Sequence, residues 1–218
     1  MRKLGLGKEV VSGQMYLALY FKAIKYFPFL QSSSTEPVLY NIWDVFFHER
    51  TCKIDFSYSS RKFYSNFNNI LSVDGYNRSE LVAVHLVKTY CVPSSLYGCE
   101  AWYMSGNDYH SLNVIWNNSF HKILGCCWRE SVSCLLYYCK TLPMSYIIDQ
   151  RIILFWKRAL NSDNIIVATL ARINRNKVVM ILPKYNIPSL NLSKYAIKSR
   201  MWEHFVDAAC DSGQISVL

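Results

Sequence analysis

Glycine and proline are scarce in this sequence, eight and six residues respectively of 218. That scarcity excludes collagen-like and low-complexity architectures. Charge is also thin, at 18% of residues against 51% hydrophobic, which excludes a disordered acidic or basic tail protein. No window approaches the roughly 18 consecutive apolar residues of a membrane span. The longest apolar run near the start, Met15 to Phe21, is cut by Lys22 and Lys25, and no small-residue cleavage site follows it. A secretory leader is therefore not expected. An amphipathic helix over Met15–Tyr26, partly buried or lying on a membrane surface, fits those residues better. What remains is a basic, aromatic-rich chain with 24 Lys and Arg against 15 Asp and Glu, a net charge of +9 and a mean hydropathy of +0.05. Its length allows one domain, or one domain with an extension. A basic balance favours nucleic acid or an anionic membrane as partner and is silent about fold.

Eight cysteines are present, most of them within apolar runs such as Tyr90-Cys91-Val92. With no secretion signal and a chain long enough to build its own core, they read as free thiols in a reducing compartment, nucleus or cytoplasm. One set has the chemistry of a metal site: His121, Cys126, Cys134 and Cys139, spaced H-x4-C-x7-C-x4-C. Zinc sites place two thiolates on one ion through a tight C-x2-4-C knuckle, which is missing here, so cysteines packed within helices are expected instead. No cofactor is implied. Gly5-Leu6-Gly7 lacks a third glycine, no G-x-S-x-G elbow occurs, and His48-Glu49 has no second histidine beside it.

Along the chain, residues 1–37 read as an apolar helix followed by a linker, Gln31-Ser32-Ser33-Ser34-Thr35-Glu36-Pro37. Residues 38–59 are mixed, with short strands expected at Val45–Phe47 and Ile54–Tyr58. Helical spacing then takes over. Helices are expected at about Ser60–Leu71 and, behind Ser79, at Glu80–Tyr90, where Pro93 should interrupt. The next begins behind Asp108 and closes at Gly125. A short helix over Ser131–Lys140 precedes the longest, opened by Thr141 with Pro143 in its first turn and running to about Leu160. Its core stripe is Met144, Ile147, Ile148, Ile152, Phe155 and Ala159. Ile165–Ile173 follows, and Ser193 caps a last helix through Val206. The fold class is thus mainly α, a bundle over residues 60–175 with few or no short strands, and 176–218 as a basic then acidic tail with a short helix.

Four separated stretches carry a resemblance. They are Arg61-Lys62-Phe63-Tyr64, Leu96-Tyr97-Gly98-Cys99-Glu100-Ala101-Trp102, Phe120-His121-Lys122-Ile123-Leu124-Gly125 with Trp128-Arg129-Glu130-Ser131-Val132, and Arg151-Ile152-Ile153-Leu154-Phe155-Trp156-Lys157. In order and spacing they resemble the C-terminal part of the reverse transcriptases of non-LTR (LINE-type) retrotransposons. The similarity covers about residues 46–175. It implies the helical thumb and the connection behind the polymerase palm, with residues 38–59 as a palm remnant. The family's polymerisation needs paired palm aspartates holding two magnesium ions, and this sequence contains no Asp-Asp. The resemblance therefore implies a truncated, non-enzymatic, retrotransposon-derived protein without endonuclease. Without a palm to pack on, a thumb would expose apolar surface, so self-association is expected.

A thumb grips its duplex mainly through the backbone, so it needs cations rather than base readers. Within or beside the matched stretches, Arg61, Lys62, Lys122, Arg129, Arg151, Lys157 and Arg158 are the candidate phosphate contacts for RNA or an RNA–DNA duplex, with solvated helix faces as the plain alternative for each. Tyr97, Trp102, Trp128 and Trp156 could stack on bases, but burial in the core is expected of such large aromatics. The charge is unevenly placed. Residues 150–200 hold ten basic side chains and one acidic, residues 1–149 hold 14 and 11, and residues 201–218 hold none and three. Two further readings stand beside nucleic-acid binding: a protein-interaction module, and a transposon relic without selected function.

Overall fold

The computed structural model describes residues 39–42, 45–48, 53–54, 56–74, 79–100, 104–173 and 175–214. The expected N-terminal helix and the Ser-rich linker lie outside these residues. Three short strands come first: β1 (Leu39–Ile42), β2 (Val45–His48) and β3 (Lys53–Ile54), antiparallel in the order β1-β2-β3. The register pairs Leu39 with His48 and Ile42 with Val45, then Phe47 with Ile54. Of the strand expected at Ile54–Tyr58 only Ile54 is in a strand, because Phe56 already opens helix α1 (Phe56–Asp74). A five-residue alternation is too short to oppose the helical repeat that runs on through Phe63 and Phe67.

Beyond the strands the chain is helical. Helix α2 (Glu80–Leu86) passes through a π-helical turn (Val87–Cys91) into α3 (Val92–Ser95). Pro93 therefore does not interrupt this segment. A proline removes one backbone donor and its ring crowds the carbonyl four residues earlier. Here the Val92 N–H reaches back to the Val87 carbonyl, an i→i−5 bond, and the widened turn absorbs the conflict.

Helix α4 (Gly106–Leu124) is capped by Ser105 rather than Asp108. Asp108 is the third helical residue and completes a capping box. The Asp108 N–H donates to the Ser105 hydroxyl at 3.3 Å, and the Ser105 N–H donates to Asp108 Oδ2 at 2.8 Å. Gly125 closes α4 as expected, in the left-handed region at φ 63°. Helix α5 (Val132–Tyr138) and α6 (Met144–Leu160) follow, with Pro143 just ahead of α6 rather than inside its first turn. Helix α6 has 17 residues, shorter than α1 and α4 at 19 each. Then come α7 (Ile165–Ile173), α8 (Asn176–Ile181), a 3-10 turn (Leu182–Tyr185) and α9 (Lys194–Asp211).

An aromatic seam holds α1 to α4. Phe63 stacks on Phe67 and meets Trp116 edge-on at 6.3 Å, and Trp116 meets Phe120 at 5.0 Å. Trp116 is fully buried, and its Nε1 donates to the Leu142 carbonyl at 3.2 Å, tying the seam to the entry of α6. On α6 the buried side chains are Met144, Ile148, Asp149, Ile152, Ile153 and Trp156. Phe155, expected in that stripe, is exposed instead. Trp156 takes the inward place, continuing the i, i+4 row of Ile148 and Ile152.

Helix α9 is long, and its Ser193 cap forms as expected, the Ala196 N–H donating to the Ser193 hydroxyl. Ile197, Met201, Phe205 and Ala209, each four residues apart, are buried. Trp202 stacks on Tyr137 of α5 at 6.0 Å. Residues 194–211, expected as a short helix in a tail, thus belong to the packed bundle. A second small core of Ile153, Tyr185, Ile187, Ile197 and Met201 joins α6, the 3-10 turn and α9.

Candidate nucleic-acid interface

The seven candidate phosphate contacts are spread over several elements and differ in what they touch. Arg61 and Lys62 lie on α1, Arg61 exposed and Lys62 half-buried with its ammonium 6.0 Å from the Tyr58 ring. Lys122, exposed on the last turn of α4, lies 5.7 Å over the Phe67 ring. Arg129 is exposed in the α4–α5 junction, 5.0 Å over the Trp128 ring. Arg151 is engaged within the protein: its Nε donates to Glu100 Oε1 at 2.7 Å, between two half-buried side chains. That ion pair joins two of the four resemblance stretches, the one around Gly98 and the one on α6. Lys157 donates to the Leu190 carbonyl at 2.8 Å and so helps hold the chain that leads into α9. Arg158 is exposed and turns its Nε back to the Leu154 carbonyl of its own helix.

The basic stretch of residues 150–200 contributes further cations. Arg172, Arg175, Lys194 and Lys198 are exposed. Arg200 donates to the Asn186 carbonyl at 3.0 Å, fixing the left-handed turn after the 3-10 helix. Exposed aliphatic residues lie among them, notably Ile165, Ile173 and Met180, at 79%, 58% and 81%. Residues 150–200 therefore expose both cations and aliphatic side chains.

One polar centre escapes a reading of the sequence by motif. Asp149 is 4% exposed and receives three donors. They are the Tyr109 hydroxyl at 3.0 Å, the Tyr185 hydroxyl at 2.6 Å and Lys184 Nζ at 2.9 Å. A buried carboxylate is tolerated only when paired and hydrogen-bonded, and this one is both. Beside it, the Tyr146 hydroxyl lies 3.0 Å from His204 Nδ1, and the Tyr146 and Tyr185 rings meet at 5.0 Å. Burial first, and the Asp149 carboxylate next, push the Tyr109, Tyr146 and Tyr185 hydroxyls above their ordinary value, so they stay protonated as donors. The cluster fastens α4, α6, the 3-10 turn and α9 together. Its sequence signal was a lone acid next to Ile148 and three and four residues before the inward Ile152 and Ile153.

Among the described residues, no three His, Cys, Asp or Glu side chains converge as metal ligands would. Cys126 donates to the Leu124 carbonyl at 3.6 Å, and burial together with the facing Glu130 carboxylate raises its thiol. Cys134 donates to the Gln214 carbonyl, and Cys139 is half-buried against the core. His121 Nδ1 is buried with no hydrogen-bond partner. The seven cysteines among the described residues are free thiols.

Of the four aromatic residues expected in the core, Trp156 is buried, Tyr97 and Trp128 are exposed, and Trp102 lies outside the described residues. Among the described residues no helix is long and apolar enough to cross a membrane. No family model, no curated protein and no solved structure matches the chain.

Proposed function

We propose that this chain is a non-enzymatic helical protein derived from the thumb and connection region of a LINE-type reverse transcriptase, and that it binds RNA or an RNA–DNA duplex through phosphate contacts. The observation that carries the binding is the run of ten cations against one acid in residues 150–200, of which Arg158, Arg172, Arg175, Lys194 and Lys198 are exposed. Cations of that kind neutralise phosphates and release condensed counterions, so affinity falls steeply with salt. Arg61, Lys122 and Arg129 add exposed charge elsewhere. The four ordered sequence stretches support the retrotransposon origin, and the Arg151–Glu100 ion pair between two of them supports a common structural unit. Free cysteines support a reducing compartment, nucleus or cytoplasm.

A filter-binding titration of the purified chain against an RNA–DNA hybrid across a salt series tests the binding. Measurable affinity at low salt that weakens steeply is expected, and no binding at low salt contradicts the reading. With no paired aspartates in the sequence, primer extension with magnesium and nucleotides should yield no product, and incorporation would refute the non-enzymatic part.

A second reading, a protein-interaction module that includes self-association, draws on the exposed Ile165, Ile173 and Met180. Binding to a partner protein that persists at high salt would favour it, because apolar burial is not screened by ions.

A further inference from the structure

The α4–α5 junction holds an indole where the chain had every means to bury one. Trp128 is 75% exposed, whereas Trp116, twelve residues earlier, is fully buried. The junction is ordered by its backbone. Gly125 turns through the left-handed region, the Cys126 N–H bonds the His121 carbonyl at 3.1 Å, and the Glu130 N–H bonds the Cys127 carbonyl at 3.0 Å across Trp128 and Arg129. The Arg129 guanidinium lies 5.0 Å from the centre of the Trp128 ring. A solvent-facing indole on an ordered turn, with a cation against it, matches a flat π-system that carries negative charge beside it. A nucleotide is such a ligand: its base stacks on an aromatic ring and its phosphate pairs with arginine. In a duplex both faces of each base are already covered by neighbours, so an unpaired base is required.

We propose that Trp128 and Arg129 form a stacking site for an unpaired nucleobase, adding single-stranded nucleic acid to the ligands of the chain. The inference rests on the phosphate-binding reading above and extends it from backbone charge to the base itself. The test compares a fluorescent oligo(dT) with an abasic oligomer of the same length and charge, by anisotropy on the full chain. The wild-type protein should bind oligo(dT) about tenfold tighter than the abasic strand, the size of one good stacking contact. Trp128→Leu should lose that preference with its salt dependence unchanged, and Trp128→Phe should keep most of it. Because the side chain is exposed, Trp128→Leu should melt as the wild type does, so the loss would not reflect unfolding. Equal binding of the two strands by the wild type, or a preference that survives Trp128→Leu, overturns the stacking site while leaving phosphate binding intact. Failure of both strands to bind at low salt overturns both.

Discussion

The stretch from α1 to α6 and the stretch from α7 to α9 are built to different ends. The first is centred on interlocked aromatics, Phe63, Phe67, Trp116 and Phe120, and its charge, ten basic against six acidic side chains over residues 56–160, is spread over more than twice the length that holds seven against three in residues 165–211. The second contributes a mixture to the core, Ala168, Ala171 and Val178 with Tyr185, Met201 and Phe205, and leaves cations and aliphatic side chains facing water. Asp149 and its three donors join the two. Changes to the buried side chains of the first stretch should act on folding, and on the proposed reading changes to the exposed cations, Arg158 on α6 and Arg172, Arg175, Lys194 and Lys198 beyond it, should act on binding.

The largest effect is expected at the seam. Trp116→Ala removes a fully buried indole and the anchor to Leu142, and should cost about 3–5 kcal/mol in urea unfolding. Next is the joint. Asp149→Ala leaves two tyrosine hydroxyls and a lysine without their acceptor, at about 3 kcal/mol for the buried donors together. If the loss there were under about 1 kcal/mol, the two stretches would be joined by apolar contact and the Lys157–Leu190 and Tyr146–His204 hydrogen bonds rather than by Asp149.

The same joint has a pH signature. The Tyr109, Tyr146 and Tyr185 hydroxyls are raised above their ordinary 10.0, by burial first and by Asp149 next. A raised folded-state value adds stability that is fully present below the unfolded value and is lost as pH climbs toward the folded one. Stability should therefore decline above about pH 10, and the double variant Tyr109→Phe, Tyr185→Phe should decline less steeply. Urea midpoints measured from pH 8 to 11 check this. A smaller effect is expected at Gly125→Ala, where a left-handed φ of 63° is forced on a residue with a Cβ, costing about 1 kcal/mol.

Much of this architecture was legible in the sequence, because amphipathic repeats of 3.6 residues set most of the helices and Gly125 and Ser193 marked two ends correctly. The misses have local causes. The N-cap of α4 is Ser105 rather than the expected Asp108, since both residues are good caps and only the backbone distinguishes them. The π-helical turn before Pro93 leaves no trace in periodicity. At Phe155-Trp156 the repeat fits either aromatic on the inward face, and the structure buries Trp156 and exposes Phe155. Asp149 was overlooked because a single acid in an apolar helix carries no motif, and its partners come from residues 40 before it and 35 and 36 after it. Trp128 lies in a junction with no repeat to orient it, so size alone wrongly argued for burial. Among the candidate cations, nothing in the sequence marks Arg151 and Lys157 as engaged, since Glu100 and the Leu190 carbonyl meet them only in three dimensions.

The central claim is that affinity for nucleic acid resides in the exposed cations of residues 150–200. It is tested most directly by the salt dependence of hybrid binding in three proteins: the wild type, a variant with Arg158, Arg172, Arg175, Lys194 and Lys198 changed to Gln, and a variant with Arg2, Lys3 and Lys8 changed to Gln. The five-site variant should lose most low-salt affinity, and its log–log salt slope should be shallower by up to about 4. The N-terminal variant should follow the wild type. Equal slopes and affinities for the wild type and the five-site variant would contradict the claim.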